Sequence, residues 1–282
     1  MSTVLFDTPG PRARSRHRVL TVAAAVLAVA VLAWFVWRLY LEGEFEAALW
    51  EDMSEPNIWN AYWTGLLTTL GAAASAIVLS ILFGALFAVA RLSDHAWLRF
   101  PARVVVEFFR AVPLLLLIMF VFFGFLAPHD YLALVIALML YNGSVLAEVF
   151  RAGVLAVPKG QAEAGYAIGM RKNQVMRLIL MPQSVSIMLP AIVSQCVIVL
   201  KDSALGLIIG FRELVAEAEG IAQFVHHTFV PLLVAAVIYI TINYALSRLA
   251  TYLERRLSRR GPVSRQRRGD MALDPTGGGA GD

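Results

Sequence analysis

Charge and cysteine are both scarce in this sequence. Charged residues make up 16% of the 282 residues, whereas a soluble domain carries roughly 25%, so much of the surface does not face water. The single cysteine, Cys196, excludes an internal disulfide framework and a cysteine-based zinc site. Its apolar surroundings favour a buried and inert thiol.

The signatures of several enzyme classes are also missing. The sequence has no G-x-x-x-x-G-K-[ST] loop to cradle ATP phosphates, and no H-E-x-x-H or G-x-S-x-G motif. A membrane-embedded enzyme would need several His, Asp or Glu side chains that converge at membrane depth, and the scattered acidic residues of this sequence do not form such a set. The adjacent His226 and His227 lack further ligands at metal-binding spacing, and we interpret them as membrane-edge residues. We therefore expect no catalytic residue, no metal and no cofactor bound by this chain.

Apolar residues, by contrast, are abundant and occur in long runs. They make up 59% of the chain, and runs of about 20 residues, enough to cross a bilayer, recur along nearly its whole length. We predict an all-α, polytopic membrane protein with about six transmembrane helices. These are approximately Val19–Trp37, Thr64–Ala90, Val104–Ala127, Tyr131–Phe150, Ser184–Gly210 and Phe229–Tyr252.

The first apolar run follows a basic stretch, as a signal peptide does. Its length and the interfacial aromatics Trp34, Trp37 and Tyr40 favour a retained span. We expect five regions: a basic tail (1–18), an additional N-terminal transmembrane helix (19–40), an acidic connection (41–63), a five-helix core (64–252) and a disordered tail (253–282). The tail composition suits contact with anionic lipid.

Lysine and arginine are concentrated in alternate connections. Four precede the first span, three lie between the second and third, five between the fourth and fifth, and eight end the chain. The other connections hold only Arg38 and Arg212, and the first of them is rich in acids. The positive-inside rule therefore predicts a multi-pass protein of the cell membrane with both termini in the cytoplasm. Basic residues placed at span ends also argue against nucleic acid as a partner.

One predicted cytoplasmic connection, residues 151–182, is much longer than the others. Residues 161–168 can form a short helix, with Pro158 suited to its first turn. Gly169 can end that helix in a left-handed conformation. The connection thus begins with a helix and a tight turn.

A second short helix is predicted after the turn. Asn173 can cap a helix over Gln174–Leu180, and Pro182 would stop it or kink the chain into the next span. The resulting helix–turn–helix would expose three charged side chains to a cytosolic partner: Glu163, Arg171 and Lys172.

This connection resembles the EAA loop of ABC importer permeases. Glu163-Ala164-Gly165, then Gly169, then Ile179 and Met181-Pro182 match the family's Glu-Ala-Ala, Gly and Ile-x-Leu-Pro at the same spacing. Gly165 replaces an alanine and Met181 a leucine, both mild changes in size.

Three further segments are similar to permeases for polar amino acids, and the resemblance covers about Asn60 to Tyr252. They are Glu107-Phe-Phe-Arg110-Ala-Val-Pro113, Ala147-Glu148-Val-Phe-Arg151-Ala-Gly153 with Pro158-Lys-Gly160-Gln161, and Lys201-Asp202-Ser203-Ala204-Leu205 with Glu213-Leu214. The resemblance implies a type I ABC importer permease that admits glutamate or a close relative: glutamine, aspartate or arginine.

The same resemblance implies several partners. ATP would be used by two separate ABC ATPase subunits, a second permease (identical or related) would complete the path, and an extracytoplasmic amino-acid-binding protein would deliver substrate. The ATPase-coupling residues would be Gly160, Gln161, Glu163, Ala164, Gly165, Gly169 and Pro182.

Polar residues within the spans are functional candidates because they are costly in lipid. Glu107 and Arg110 are three residues apart on one helix face, which suggests a structural ion pair or a gate contact. Pro113, three residues further on, would kink or break this span. Glu148 can pair with Arg151 or with a neighbouring span.

The substrate path has two candidate segments. Asn142-Gly143-Ser144 could break its helix near mid-membrane. Lys201, Asp202 and Ser203 could line a cavity after local unwinding, or form a purely structural network. The alternative function is a stand-alone, ion-gradient-driven amino-acid transporter or channel, which would predict inverted repeats and no docking loop.

Overall fold

The computed structural model describes residues 11–258, which are mostly helical and contain no strand. The described α-helices are α1 (Pro11–Leu41), α2 (Ala47–Asp52), α3 (Pro56–Arg91), α4 (Ala96–Ala111), α5 (Leu114–Val121), α6 (Asp130–Leu155), α7 (Lys159–Ala167), α8 (Lys172–Gln174), α9 (Met181–Asp202), α10 (Leu214–Phe224) and α11 (Phe229–Ser258). Two π-helical segments, Phe122–Leu126 and Val175–Leu180, and a 3₁₀ helix, Ser203–Ile209, continue α5, α8 and α9.

Within the described residues, five helical segments are long and apolar enough to cross a membrane. They are Arg16–Leu41, Pro56–Arg91, Asp130–Leu155, Lys172–Ile209 and Phe229–Leu249. The prediction of an all-α, polytopic membrane protein is confirmed. The most apolar stretch of α1 contains no buried residue, so this helix exposes its apolar side chains on all sides.

The predicted third span, Val104–Ala127, is broken at Pro113, as the sequence predicts. The chain forms α4 and α5 there, which bend by 103° at their junction. Val112 is extended (φ −76°, ψ 129°) because Pro113 disfavours the helical conformation in the residue before it. Proline also lacks the N–H that a continuous helix would need at this point.

Several predicted boundaries also shift. Helix α3 begins at Pro56, and the short helix α2 precedes it. The predicted connection 41–63 is therefore partly helical. Helix α11 continues to Ser258, beyond the predicted start of a disordered tail at residue 253. The rest of that tail, and residues 1–10 of the predicted basic tail, lie outside the described residues.

The chain divides into two compact units. The first unit comprises Pro113–Leu138, Leu200–Asn243 and the chain up to Ala76. Its core joins α2, the start of α3, α10 and α11 through Met53, Tyr62, Leu214 and Val230, among others. The Tyr62 hydroxyl donates to the carbonyl oxygen of Pro231 at 2.9 Å, which satisfies a polar group in this apolar core.

The second unit comprises Ile77–Val112, Met139–Val199 and the chain from Tyr244. Its core contains Ala88, Leu146, Phe150 and Met188. Helices α3 and α6 approach closely there, since a Cβ on Gly84 would lie 2.8 Å from the Cβ of Leu146. Small residues permit such close contact between membrane helices, where packing replaces the hydrophobic effect as the driving force.

Candidate functional site

The long connection between α6 and α9 folds as a helix–turn–helix. Helix α7 ends at a glycine in the left-handed conformation, Gly169, with φ +83°, as predicted. The Gly169 N–H donates to Tyr166 O at 3.0 Å and the Met170 N–H donates to Gly165 O at 3.1 Å. These two bonds form a Schellman motif, which satisfies the last carbonyls of the helix and fixes the direction of the turn.

Gly165 brings the two halves of this connection together. It is buried against the π-helical segment Val175–Leu180. A Cβ at Gly165 would lie 2.7 Å from Cδ1 of Ile179 and 3.0 Å from Cγ2 of Val175. Because Gly165 has no Cβ, α7 lies closer to the π-helical segment than it could with the alanine that the EAA pattern has at this position.

The second half of the connection differs from its prediction. Arg171, not Asn173, is the residue that precedes α8, and its N–H donates to the Gln174 side chain at 2.8 Å. Pro182 does not end the helix, which continues through the π-helical segment into α9. The π-helical segment contains Leu178, whose carbonyl oxygen would accept from the N–H that Pro182 lacks in a regular α-helix.

The outward surface of α7 combines polar and apolar side chains. Gly160, Gln161, Glu163 and Ala164 are exposed, and Ile168 is 79% exposed. Tyr166 and Leu178 add further exposed apolar area. An exposed apolar surface next to a carboxylate, on a short braced helix, is typical of a protein–protein contact.

Lys172 ties this connection to the loop before α4. Its ammonium group donates to the carboxylate of Asp94. This hydrogen bond and the positive charge of Lys172 hold the pKa of Asp94 below its ordinary value. Asp94 was not among the residues predicted from the sequence, because the pairing depends on tertiary structure.

A cluster of charges lies between α3, α4 and α6. Glu148 pairs with Arg151 at 2.6 Å and also with Arg91 at 2.7 Å. The predicted pair of Glu107 with Arg110 is wrong, since Glu107 pairs with Arg103 at 2.7 Å. Both arginines are on the same helix face as Glu107, so spacing alone did not distinguish them.

The predicted break at Asn142-Gly143-Ser144 is also wrong. Helix α6 continues through it, and Asn142 and Ser144 are fully buried. Asn142 Oδ1 accepts from Gln195 Nε2 at 2.6 Å, and Ser144 donates to Leu140 O at 2.7 Å. Within this chain, both side chains are therefore engaged in helix packing.

The third polar segment departs from α-helical geometry at its end. Lys201 is exposed, Asp202 is half-buried and Ser203 is buried. The chain tightens into a 3₁₀ helix from Ser203, rather than unwinding, and ends at Gly210 with φ +79°. Ser203 donates to Leu200 O at 2.7 Å, so the exposed polar group of this segment is Lys201.

A buried carboxylate follows this segment. Glu213 is fully buried and caps α10 by accepting from the N–H groups of Val215 and Ala216, at 2.8 and 2.9 Å. The Tyr239 hydroxyl donates to its other oxygen at 2.8 Å. Burial raises the pKa of Glu213, and these donors oppose that effect.

The described helices define a polytopic membrane protein with a helix–turn–helix in its longest connection. Residues 80–259 match the family described as the binding-protein-dependent transport system inner membrane component. The chain belongs to this family, and it is a permease of the ABC transporter class.

Curated relatives are permeases from bacteria. The chain is 39% identical to the glutamate transport system permease protein GluD of Corynebacterium glutamicum, over 76% of this chain and 82% of GluD. It is 29% identical to the glutamate/aspartate import permease protein GltK of Escherichia coli, over 68% of this chain and 91% of GltK.

Solved structures support the same architecture. A crystal structure of an amino acid ABC transporter with histidines matches with a TM-score of 0.68 and 30% identity, over 72% of this chain and 97% of that chain. An inward-facing structure of the MetNI methionine ABC transporter shares the fold, with a TM-score of 0.60 at 18% identity, over 72% of this chain and 99% of that chain. The predicted permease fold and family resemblance are confirmed.

Proposed function

We propose that this chain imports a polar amino acid, glutamate or a close relative, through a path completed by a second permease copy or a related permease. An extracytoplasmic binding protein would deliver the substrate, and separate ATPase subunits would supply the energy. The printed names of GluD and GltK support an acidic amino acid. Lys201, exposed at the end of α9, is a cation suited to a carboxylate.

The proposed coupling of α7 to the ATPase rests on one observation. Helix α7 is braced from behind by Gly165 against Val175 and Ile179, while its opposite side exposes Glu163. Such a helix can transmit a push from a partner without bending, because its turn is fixed by the Schellman motif at Gly169. We therefore assign α7 and its turn, Gly160–Gly169, as the element that docks on the ATPase.

We also propose that the α7 connection and both termini face the cytoplasm, as the distribution of lysine and arginine predicts. Ala164 is exposed on α7 and offers a site for a reporter cysteine. With Cys196 replaced by serine, Ala164→Cys should react with a membrane-impermeant maleimide only in inside-out vesicles. It should also cross-link to the ATPase subunit. Labelling only from the outside would contradict this orientation.

The decisive test is uptake by the reconstituted complex. Liposomes with the permease, ATPase and binding protein should take up labelled glutamate, and unlabelled glutamine, aspartate and arginine would rank the substrates as competitors. Glu163→Ala should lower ATP-dependent uptake at least about tenfold, whereas Glu55→Ala, another exposed acid outside the connection, should leave it unchanged. A tenfold loss of uptake corresponds to a free-energy difference of about 1.4 kcal/mol. Uptake that persists without any ATPase would instead support a stand-alone transporter.

A further inference from the structure

Helix α4 carries a single charged stripe on an otherwise apolar surface. Arg99, Arg103, Glu107 and Arg110 recur at intervals of four, four and three residues, so they share one helix face. Next to this stripe is an exposed apolar face formed by Trp97, Phe100, Val104 and Phe108, which are 74%, 70%, 49% and 59% exposed. A third face of the helix, Ala102 and Val106, is buried within the second unit.

The charged stripe lines a cleft of about 410 Å³ together with the ends of α3 and α6. This volume is within the range of small-ligand pockets. The cleft is lined by five arginines and two glutamates, namely Arg91, Arg99, Arg103, Arg110 and Arg151 with Glu107 and Glu148. Positive charges therefore exceed negative charges by three, and the cleft attracts anions.

The floor and the rim of this cleft differ in how their charges are balanced. On the floor, Glu148 pairs with both Arg91 and Arg151, and the Arg91 side chain is only 9% exposed. At the rim, Arg110 forms no ion pair or hydrogen bond within residues 11–258, although its charge acts on Glu148. Arg99 donates to the Ser93 carbonyl oxygen at 3.5 Å, and its charge acts on Asp94. Neither exposed guanidinium group is part of an ion pair, so both can bind an anion from outside.

The position of the cleft indicates which anion. Arg91 is the last residue of the membrane-spanning helix α3, and Glu148, its partner, is near the end of α6. The cleft is therefore at the level where these spans leave the apolar layer. Exposed aromatics such as Trp97 and Phe100 are typical of that level, and basic pockets between membrane helices bind lipid headgroups.

We propose that this cleft is a binding site for the phosphate of an anionic phospholipid. Arg99 and Arg110 contact the phosphate oxygens, and the acyl chains run along the apolar face of α4. A soluble anion would use the arginines alone, whereas a phospholipid matches both the charged stripe and the apolar face beside it. The site is independent of the coupling role of α7.

The test compares lipids that share the same acyl chains. The detergent-purified full-length chain is incubated with an equimolar mixture of phosphatidylglycerol and phosphatidylcholine, and retained lipid is quantified by native mass spectrometry. We expect the wild-type protein to retain phosphatidylglycerol preferentially. Arg99→Gln and Arg110→Gln should each lower that preference on the order of fivefold, the effect of about one basic residue near an anionic surface.

Two controls make the result specific. Arg248→Gln removes an exposed arginine near the end of α11, outside the cleft, and should leave the preference unchanged; an equal loss would overturn the proposal. Arg99→Lys and Arg110→Lys, which keep the charge, should retain most of the preference and show that loss in the glutamine variants is not misfolding. Displacement of the lipid by inorganic phosphate or free glutamate at millimolar concentration would show a soluble-anion site and would also overturn it.

Discussion

The side chain of Lys172, in the connection between α6 and α9, forms an ion pair with the carboxylate of Asp94, in the loop between α3 and α4. The two residues are 78 positions apart, so the pair links the proposed docking element to another part of the second unit. Both side chains are largely exposed, at 50% and 76%. Exposed pairs add little stability, and we therefore expect this one to act by holding the connection in position.

Replacing Asp94 with asparagine tests that role. Asp94→Asn should change thermal stability very little, because water and salt screen the lost attraction. It should raise the number of ATP molecules hydrolysed per amino acid transported, since α7 loses one of its attachments. Reversing the pair with Asp94→Lys and Lys172→Asp together should restore the ratio. If the ratio of ATP hydrolysed to amino acid transported were unchanged in Asp94→Asn, the ion pair would be a surface contact without a role in transport.

Two glycines in α7 make a matched comparison. Gly165→Ala places a Cβ 2.7 Å from Cδ1 of Ile179, and the crowding should destabilise the protein by about 1 kcal/mol. Shortening the neighbour with Ile179→Val should recover most of that loss. Gly160 has no neighbouring atom within 4 Å of an added Cβ, so Gly160→Ala should be neutral or stabilising by about 0.5–1 kcal/mol. Thermal unfolding of the wild type and these three variants measures both effects, and equal losses at the two glycines would contradict the packing argument.

The two acids of the charged cleft should differ in their contribution to stability. Glu148→Gln leaves Arg91, whose side chain is 9% exposed, without its anion, and removing one partner of a buried pair costs about 3 kcal/mol. Glu107→Gln breaks a pair whose members are 65% and 51% exposed, and should cost less than about 1 kcal/mol. Chemical unfolding in detergent distinguishes the two variants. Similar losses would mean that water screens the floor of the cleft as well as its rim.

Much of the fold could be predicted from the sequence because membrane spans depend on local composition. Five apolar runs coincide with the described spans, and Gly169 was identified from its position at the end of a short helix. Pro113 was predicted to kink or break the third span, and the chain bends there by 103°; only the size of the bend was not predicted.

The polar contacts were less predictable because they depend on tertiary neighbours. Asn142 was expected to break α6, yet its side chain bonds to Gln195, 53 residues away, and leaves the backbone intact. Glu107 could pair with either of two arginines on its own face, and the structure shows Arg103. Gln195 could have been noticed as an amide inside an apolar run. Tyr239, the side chain that donates to Glu213, carried no such signal.

Glu213 should give the stability of the protein a measurable dependence on pH. It is fully buried, and burial raises its pKa above the ordinary value of 4.5. The folded state therefore binds this proton more tightly than the unfolded state, and the resulting stabilisation is complete below pH 4.5. It is lost as the pH rises through the raised pKa of the folded protein.

Glu213→Gln isolates this effect, because glutamine keeps an acceptor for the N–H groups of Val215 and Ala216 but cannot titrate. The unfolding free energy of the wild type minus that of Glu213→Gln should fall between pH 4.5 and neutral pH. Thermal unfolding of the two proteins across this range measures the difference. A constant difference would mean that the donors around Glu213, including the Tyr239 hydroxyl, fully offset the cost of burying its charge.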